Sequence, residues 1–170
     1  MGDFQFRNLR SKRPSYILKI FTHEEDYMAK RKASARSTNN PFVGRWTYRS
    51  FNHIPDLETD YNELELARGI LTINDFPLGS FSGRLSFSDT LQYELTGSSS
   101  FGNPFTIRFQ GKGDAVGSKG HLYDYVGYLE PLWPNGVAQL PVIVGSVIRT
   151  LPHDKRPAGV VASWIAMKQL

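Results

Sequence analysis

Three consecutive stretches between Ser80 and Lys112 alternate apolar and polar residues with a period of two. Phe81, Gly83, Leu85 and Phe87 fall on one side, and Ser80, Ser82, Arg84 and Ser86 on the other. Leu91, Tyr93 and Leu95 then oppose Gln92, Glu94 and Thr96, and Phe105, Ile107 and Phe109 oppose Thr106, Arg108, Gln110 and Lys112. A helix would need apolar residues every three or four positions, so these stretches are strands with one dry and one wet face. Strands this close in sequence pair antiparallel, with one side of the sheet facing solvent. That pattern excludes a doubly wound or helical fold for this part of the chain.

The same period extends in both directions. Upstream, Asn40-Pro-Phe-Val-Gly-Arg-Trp-Thr-Tyr-Arg-Ser-Phe51 places Gly44, Trp46, Tyr48 and Ser50 on one face and Arg45, Thr47 and Arg49 on the other. An acidic, loop-like stretch from Asn52 to Glu65 leads to a second strand expected over Leu66 to Phe76. Downstream, a sixth strand over about Gly120 to Glu130 sets His121, Tyr123, Tyr125 and Leu129 against Leu122, Asp124, Val126 and Tyr128. A seventh (Val142 to Leu151) and an eighth (Gly159 to Lys168) are apolar on both faces. Such strands are expected to be covered on both faces, here by the N-terminal leader or by another subunit. The reading is therefore all-β: an eight-stranded antiparallel up-and-down barrel with an N-terminal helical leader. Closure removes the exposed edge and leaves room for packed side chains or one small ligand.

Residues 1–40 form that basic leader, and residues 41–170 the barrel domain. The leader holds nine Lys/Arg against four Asp/Glu, a net of +5, whereas the barrel domain holds eleven against twelve, a net of −1. Thr22-His-Glu-Glu25 has the spacing of a capping box, and predicts a helix from about His23 to Ala35 with its acids early and Lys30, Arg31 and Lys32 late. With a near-neutral body, nucleic acid is not an expected partner except through the leader. No run approaches the ~18 apolar residues of a membrane span, and the N-terminus lacks the apolar region of a secretory signal. The absence of cysteine excludes disulfides and thiolate chemistry and fits a reducing, cytoplasmic setting.

Gly44-Arg45-Trp46 at the start of the first strand resembles the glycine-x-tryptophan opening of the calycins, the lipocalin and avidin-type barrels. The resemblance covers these three residues and the strand count. It implies that Trp46 plugs the closed end of a barrel beneath a basic side chain from a late strand, Arg149 or Lys168. The chain departs from lipocalins in having no cysteine, no secretory signal and neither of their later motifs. By architecture it also resembles the small barrel cyclases, the allene oxide and spirotetronate cyclases, which take an apolar substrate inside the barrel. No catalytic motif of theirs matches residue by residue.

Chemistry has few footholds in the sequence. His23, His53, His121 and His153 have no partner at i+2 or i+4, so spacing predicts neither a metal site nor a cofactor. Asp56-x-Glu58-x-Asp60 begins like a calcium loop but has Tyr61 and Ala67 where a glycine and a glutamate belong, and reads as a solvated loop. His153-Asp154, in the charged turn from Pro152 to Pro157, reads the same way. No Gly-x-Ser-x-Gly elbow is present.

What remains is the aromatic interior. Inward parity makes Trp46, Tyr48, Phe87, Tyr93, Phe105, Phe109, Tyr123 and Tyr125 the candidate ligand contacts. Buried tyrosine hydroxyls need hydrogen-bond partners, and Tyr93, His121 and Tyr123 are the candidates for acid–base work. Asp124, if buried, is expected to pair with Arg149 or Arg45. Three functions fit: binding of a small apolar or aromatic molecule inside the barrel, a cyclase or isomerase acting there on a hydrophobic substrate, and a structural module with a filled core. A homo-oligomer, a dimer or larger, is expected through strands six to eight.

Overall fold

Each alternating stretch is a strand, and the eight strands close on themselves. The computed structural model describes residues 40–74 and 79–170, which belong to one compact unit. They form β1 (Gly44–Asn52), β2 (Glu65–Asn74), β3 (Ser80–Ser86), β4 (Gln92–Ser100), β5 (Thr106–Gly113), β6 (Leu122–Leu129), β7 (Val142–Arg149) and β8 (Val161–Lys168). Each strand pairs antiparallel with the next, and β8 returns to β1, so the order around the barrel is the order along the chain. Among the described residues there is no helix, and so none long and apolar enough to cross a membrane. The helix expected over His23–Ala35 lies outside the described residues.

Register carries the inward side chains around the wall. Trp46 stands opposite Leu71, Leu71 opposite Leu85, and Leu85 opposite Tyr93. The buried core follows the parity read from the sequence: Trp46, Tyr48, Leu71, Phe81, Leu85, Tyr93, Leu95, Ile107, Phe109 and Tyr125 are all nearly inaccessible. Burying a large apolar side chain of this kind stabilises the fold by about 1.5–3 kcal/mol. One interior position needs extra room. Gly127 and Gly145 face each other across β6 and β7, and a Cβ on Gly127 would stand 2.6 Å from the indole of Trp164. The two glycines let that indole lie flat against the wall, where its Nε1 donates to the Ser146 carbonyl oxygen (3.0 Å).

The two ends differ. At the end where β1 begins, Trp46 is 0% exposed and its Nε1 donates to the Phe42 carbonyl oxygen (2.8 Å). Lys168 lies over the indole, its Nζ 5.3 Å from the ring centre and 3.3 Å from the Pro41 carbonyl oxygen. Of the two basic residues considered for that place, Lys168 occupies it. Arg149 is at the other end of the barrel.

Val126, Tyr128, Ile148, Val161 and Met167 point outward from β6 to β8 and are exposed in the single barrel, on the face for which the sequence predicts a cover. One expectation changes. Asp124 pairs with neither Arg149 nor Arg45. It lies half-buried and accepts from Gln110 Nε2 (2.9 Å), its cross-strand neighbour on β5.

Candidate functional site

The open end of the barrel is where β1 and β7 finish and β6 starts, and two rim loops furnish it. Between β5 and β6, the Ser118 hydroxyl donates to the Gln92 carbonyl oxygen (2.5 Å), and the His121 amide donates back to the Ser118 carbonyl oxygen (2.9 Å). Gly120, at φ +87°, makes the left-handed step just before His121, whose side chain is buried. Between β7 and β8, Asp154 and Lys155 both take positive φ, 48° and 61°. His153 and Arg156 exchange both backbone hydrogen bonds across them, at 3.2 and 2.8 Å. Two central residues in the left-handed region make a type I′ turn, here without glycine, at a cost of about 1 kcal/mol or more per residue. The turn brings His153 onto His121, with ring centres 3.6 Å apart and planes 20° from parallel.

Asp154 joins the two rings. Its Oδ2 lies 3.2 Å from His121 Nε2 and 3.1 Å from His153 Nδ1. A carboxylate only accepts, so those nitrogens carry the protons and the opposite nitrogen of each ring is an acceptor. Each acceptor is met by a tyrosine: the Tyr93 hydroxyl donates to His121 Nδ1 (2.9 Å) and the Tyr123 hydroxyl to His153 Nε2 (2.7 Å). Two Tyr–His relays thus converge on one carboxylate.

The electrostatics favour the neutral imidazole of His121. Burial, and then the neighbouring His153, lower the pKa of His121, while Asp154 pulls the other way. The hydrogen bond from His153 is the main reason the exposed Asp154 carboxyl lies below its ordinary range. Burial raises Tyr48, Tyr93 and Tyr125; neighbouring phenols add to the rise of Tyr93 and Tyr125, whereas hydrogen bonds with Ser50 and Tyr125 oppose that of Tyr48. At neutral pH these tyrosines are therefore hydrogen-bond donors, not phenolates.

Beneath the rim lies a cavity of about 410 Å³. Leu66, Phe87, Leu91 and Val147 give it apolar walls, and the relays occupy its polar side. Tyr48 and Tyr125 form the floor. Tyr125 stacks on Phe109 at 4.5 Å and 8°, and Tyr48 on Trp164 at 5.8 Å and 24°. Arg149 also faces the cavity, 4% exposed, with its Nη1 donating to the Pro157 carbonyl oxygen (3.0 Å).

Compared with known proteins, the chain matches no family model, no curated protein and no solved structure.

Of the residues picked out from the sequence, Tyr48, Phe87, Tyr93, Tyr123 and Tyr125 line the cavity, together with His121. Trp46, Phe105 and Phe109 do not. Trp46 plugs the closed end, Phe109 lies under the floor, and Phe105 is half-buried against Phe101. His153 was read as solvated, yet its imidazole is packed between His121 and Tyr123. Asp154 is exposed but tied to both histidines. The acidic 56–60 loop is solvated as read: Asp56 and Asp60 each accept from a backbone amide two residues on, at 3.0 and 2.8 Å.

His121, His153 and Asp154 also bring three potential metal donors within 4.8 Å of one another. An ion bound by both imidazoles would have to sit between two nearly parallel rings, off the in-plane lone pair of each nitrogen. As arranged, the trio is a hydrogen-bond junction.

Proposed function

We propose that the open end of the barrel binds a small, largely apolar or aromatic molecule. The observation that carries this reading is the cavity of about 410 Å³, with aromatic and aliphatic walls and a few convergent polar groups on one side. Pockets of about 300 Å³ and upward with that division of surface are where proteins take up small organic molecules. The tyrosine hydroxyls and imidazoles would fix the orientation of such a molecule, and the apolar walls would supply its affinity. The resemblance to the calycins agrees with this reading without naming a ligand.

The test uses an uncharged probe, N-phenyl-1-naphthylamine, whose fluorescence rises on leaving water. It is expected to bind the full chain saturably with one site per chain. Ala67→Trp, which places an indole among the lining residues, should abolish that signal while the far-ultraviolet spectrum stays that of a folded β protein. Binding that persists in a folded Ala67→Trp variant would place the probe elsewhere and remove the support for this function.

A second reading, an enzyme of the cyclase or isomerase type, draws on the two Tyr–His relays ending on Asp154. With the imidazole accepting from the phenol, a hydroxyl facing the cavity can pass its proton to the imidazole as its oxygen takes one from a substrate, and return it by the reverse path. Turnover of a bound hydrophobic substrate that falls at least about a hundredfold in Tyr93→Phe or Tyr123→Phe, with affinity kept, would separate catalysis from binding alone.

A further inference from the structure

Arg149 ends β7 on its inner face, opposite Tyr123 of β6, and is all but sealed from bulk water. Its only side-chain hydrogen bond among the described residues runs from Nη1 to the Pro157 carbonyl oxygen, and its buried Nε has no partner. No aspartate or glutamate among the described residues lies within ion-pair distance of it. The acid on the rim, Asp154, turns Oδ2 to the two imidazoles and leaves 68% of its side chain exposed.

This is unusual chemistry for a protein interior. Buried charges are normally paired, because a lone ion loses its hydration with nothing in return. A lysine or histidine in this position would shed its proton, but a guanidinium does not. Water in the cavity can solvate Arg149; only an anion can neutralise it. With Nη1 engaged by Pro157, the Nε edge of the planar fork is free, and such an edge matches the two oxygens of a carboxylate.

The geometry points to a carboxylate subsite built on Arg149: the molecule taken up at the open end is an organic acid, its apolar or aromatic body lying against Phe87, Leu91 and Val147. This inference depends on the cavity being a binding site, and the experiment is chosen so that the two can fail separately. The full chain is titrated by calorimetry with 2-naphthoate and with 2-naphthamide, which share size and shape and differ in charge. Naphthoate is expected to bind at least about tenfold more tightly, the scale of a charge-assisted hydrogen-bonded pair. The preference should persist from about 50 mM to about 500 mM NaCl, because a buried pair is weakly screened. Arg149→Met should bring the ratio of the two affinities close to one.

Equal affinities in the unaltered chain would overturn the subsite and leave the cavity reading standing. A preference that disappears with salt would trace to the chain's overall positive charge and would also overturn it. A folded Arg149→Met variant that keeps the preference would remove Arg149 from the role. If that variant does not fold, the salt series in the unaltered chain decides the matter. Failure of both probes to bind would take down the cavity reading, and the subsite with it.

Discussion

The closed half and the open half of the barrel are built by the same strands on opposite principles. In the closed half, Trp46, Ile73, Phe81, Ile107 and Ile143 fill the interior with apolar volume. Further along the same strands the inward positions become polar. β1 passes from Trp46 through Tyr48 to Ser50, and β7 from Ile143 through Val147 to Arg149. The open half thus gives up packing for a hydrogen-bonded junction and a cavity, both of which reduce stability unless every polar group is satisfied. The lesson is a division of labour along the barrel axis: one half holds the fold together and the other is free to carry chemistry.

The strongest way to break that comparison is in the closed half. Trp46→Ala should cost about 3–5 kcal/mol of unfolding free energy, as expected for deleting a fully buried aromatic and leaving a cavity. Its indole hydrogen bond to Phe42 and its contact with Lys168 go with it. Chemical denaturation followed by far-ultraviolet circular dichroism measures the loss. A cost below about 1 kcal/mol, the range of ordinary surface substitutions, would mean that stability is not concentrated there.

A smaller effect sharpens the picture of the open half. Tyr93→Phe and Tyr123→Phe should each destabilise by about 1–2 kcal/mol, because each leaves a packed imidazole nitrogen without its donor. The two relays share Asp154, so the double variant should depart from additivity by about 0.5 kcal/mol or more. Strict additivity, measured by a double-mutant cycle, would show two independent hydrogen bonds in place of one junction.

Most of the barrel could be read from the chain because its cause is local. Period-two alternation sets which side chain points inward whatever the strand's neighbours are, and Phe81, Leu85, Tyr93, Leu95, Ile107 and Phe109 obey it, whereas Phe101, beyond the end of β4, is exposed. The same parity, extended along β7, places Arg149 inside with Ile143 and Val147. An arginine at an inward position was the available signal for the charged side of the cavity. The junction was not legible. His121 and His153 are distant in sequence, and they meet only because Asp154 and Lys155 adopt left-handed backbone angles that no glycine announces. The 410 Å³ void was equally hidden, since parity says where side chains point and not how far they fill the space. Phe105 and Phe109 share a face with Tyr93 yet sit below the cavity, because position along the axis depends on the stagger between strands.

The subtlest difference between the halves is in their response to acid, since the described interior of the closed half holds no histidine or carboxylate. His121 has its pKa lowered below the ordinary 6.5, chiefly by burial and then by His153. As pH falls through 6.5, the unfolded chain takes up a proton at this residue before the folded chain does, so acidification favours unfolding. Above that value both states are neutral there and the residue contributes no slope. Asp154, with its carboxyl below 3.8, acts with the same sign but only in a lower window: its contribution is kept above 3.8 and lost as pH falls through the folded value. Between about pH 7.5 and 5.5 the expected signature is therefore a fall in the urea midpoint that shrinks in His121→Gln and persists in Trp46→Phe. A fall that survives His121→Gln at full size would place the acid sensitivity outside the open half, and the division along the axis would lose its electrostatic side.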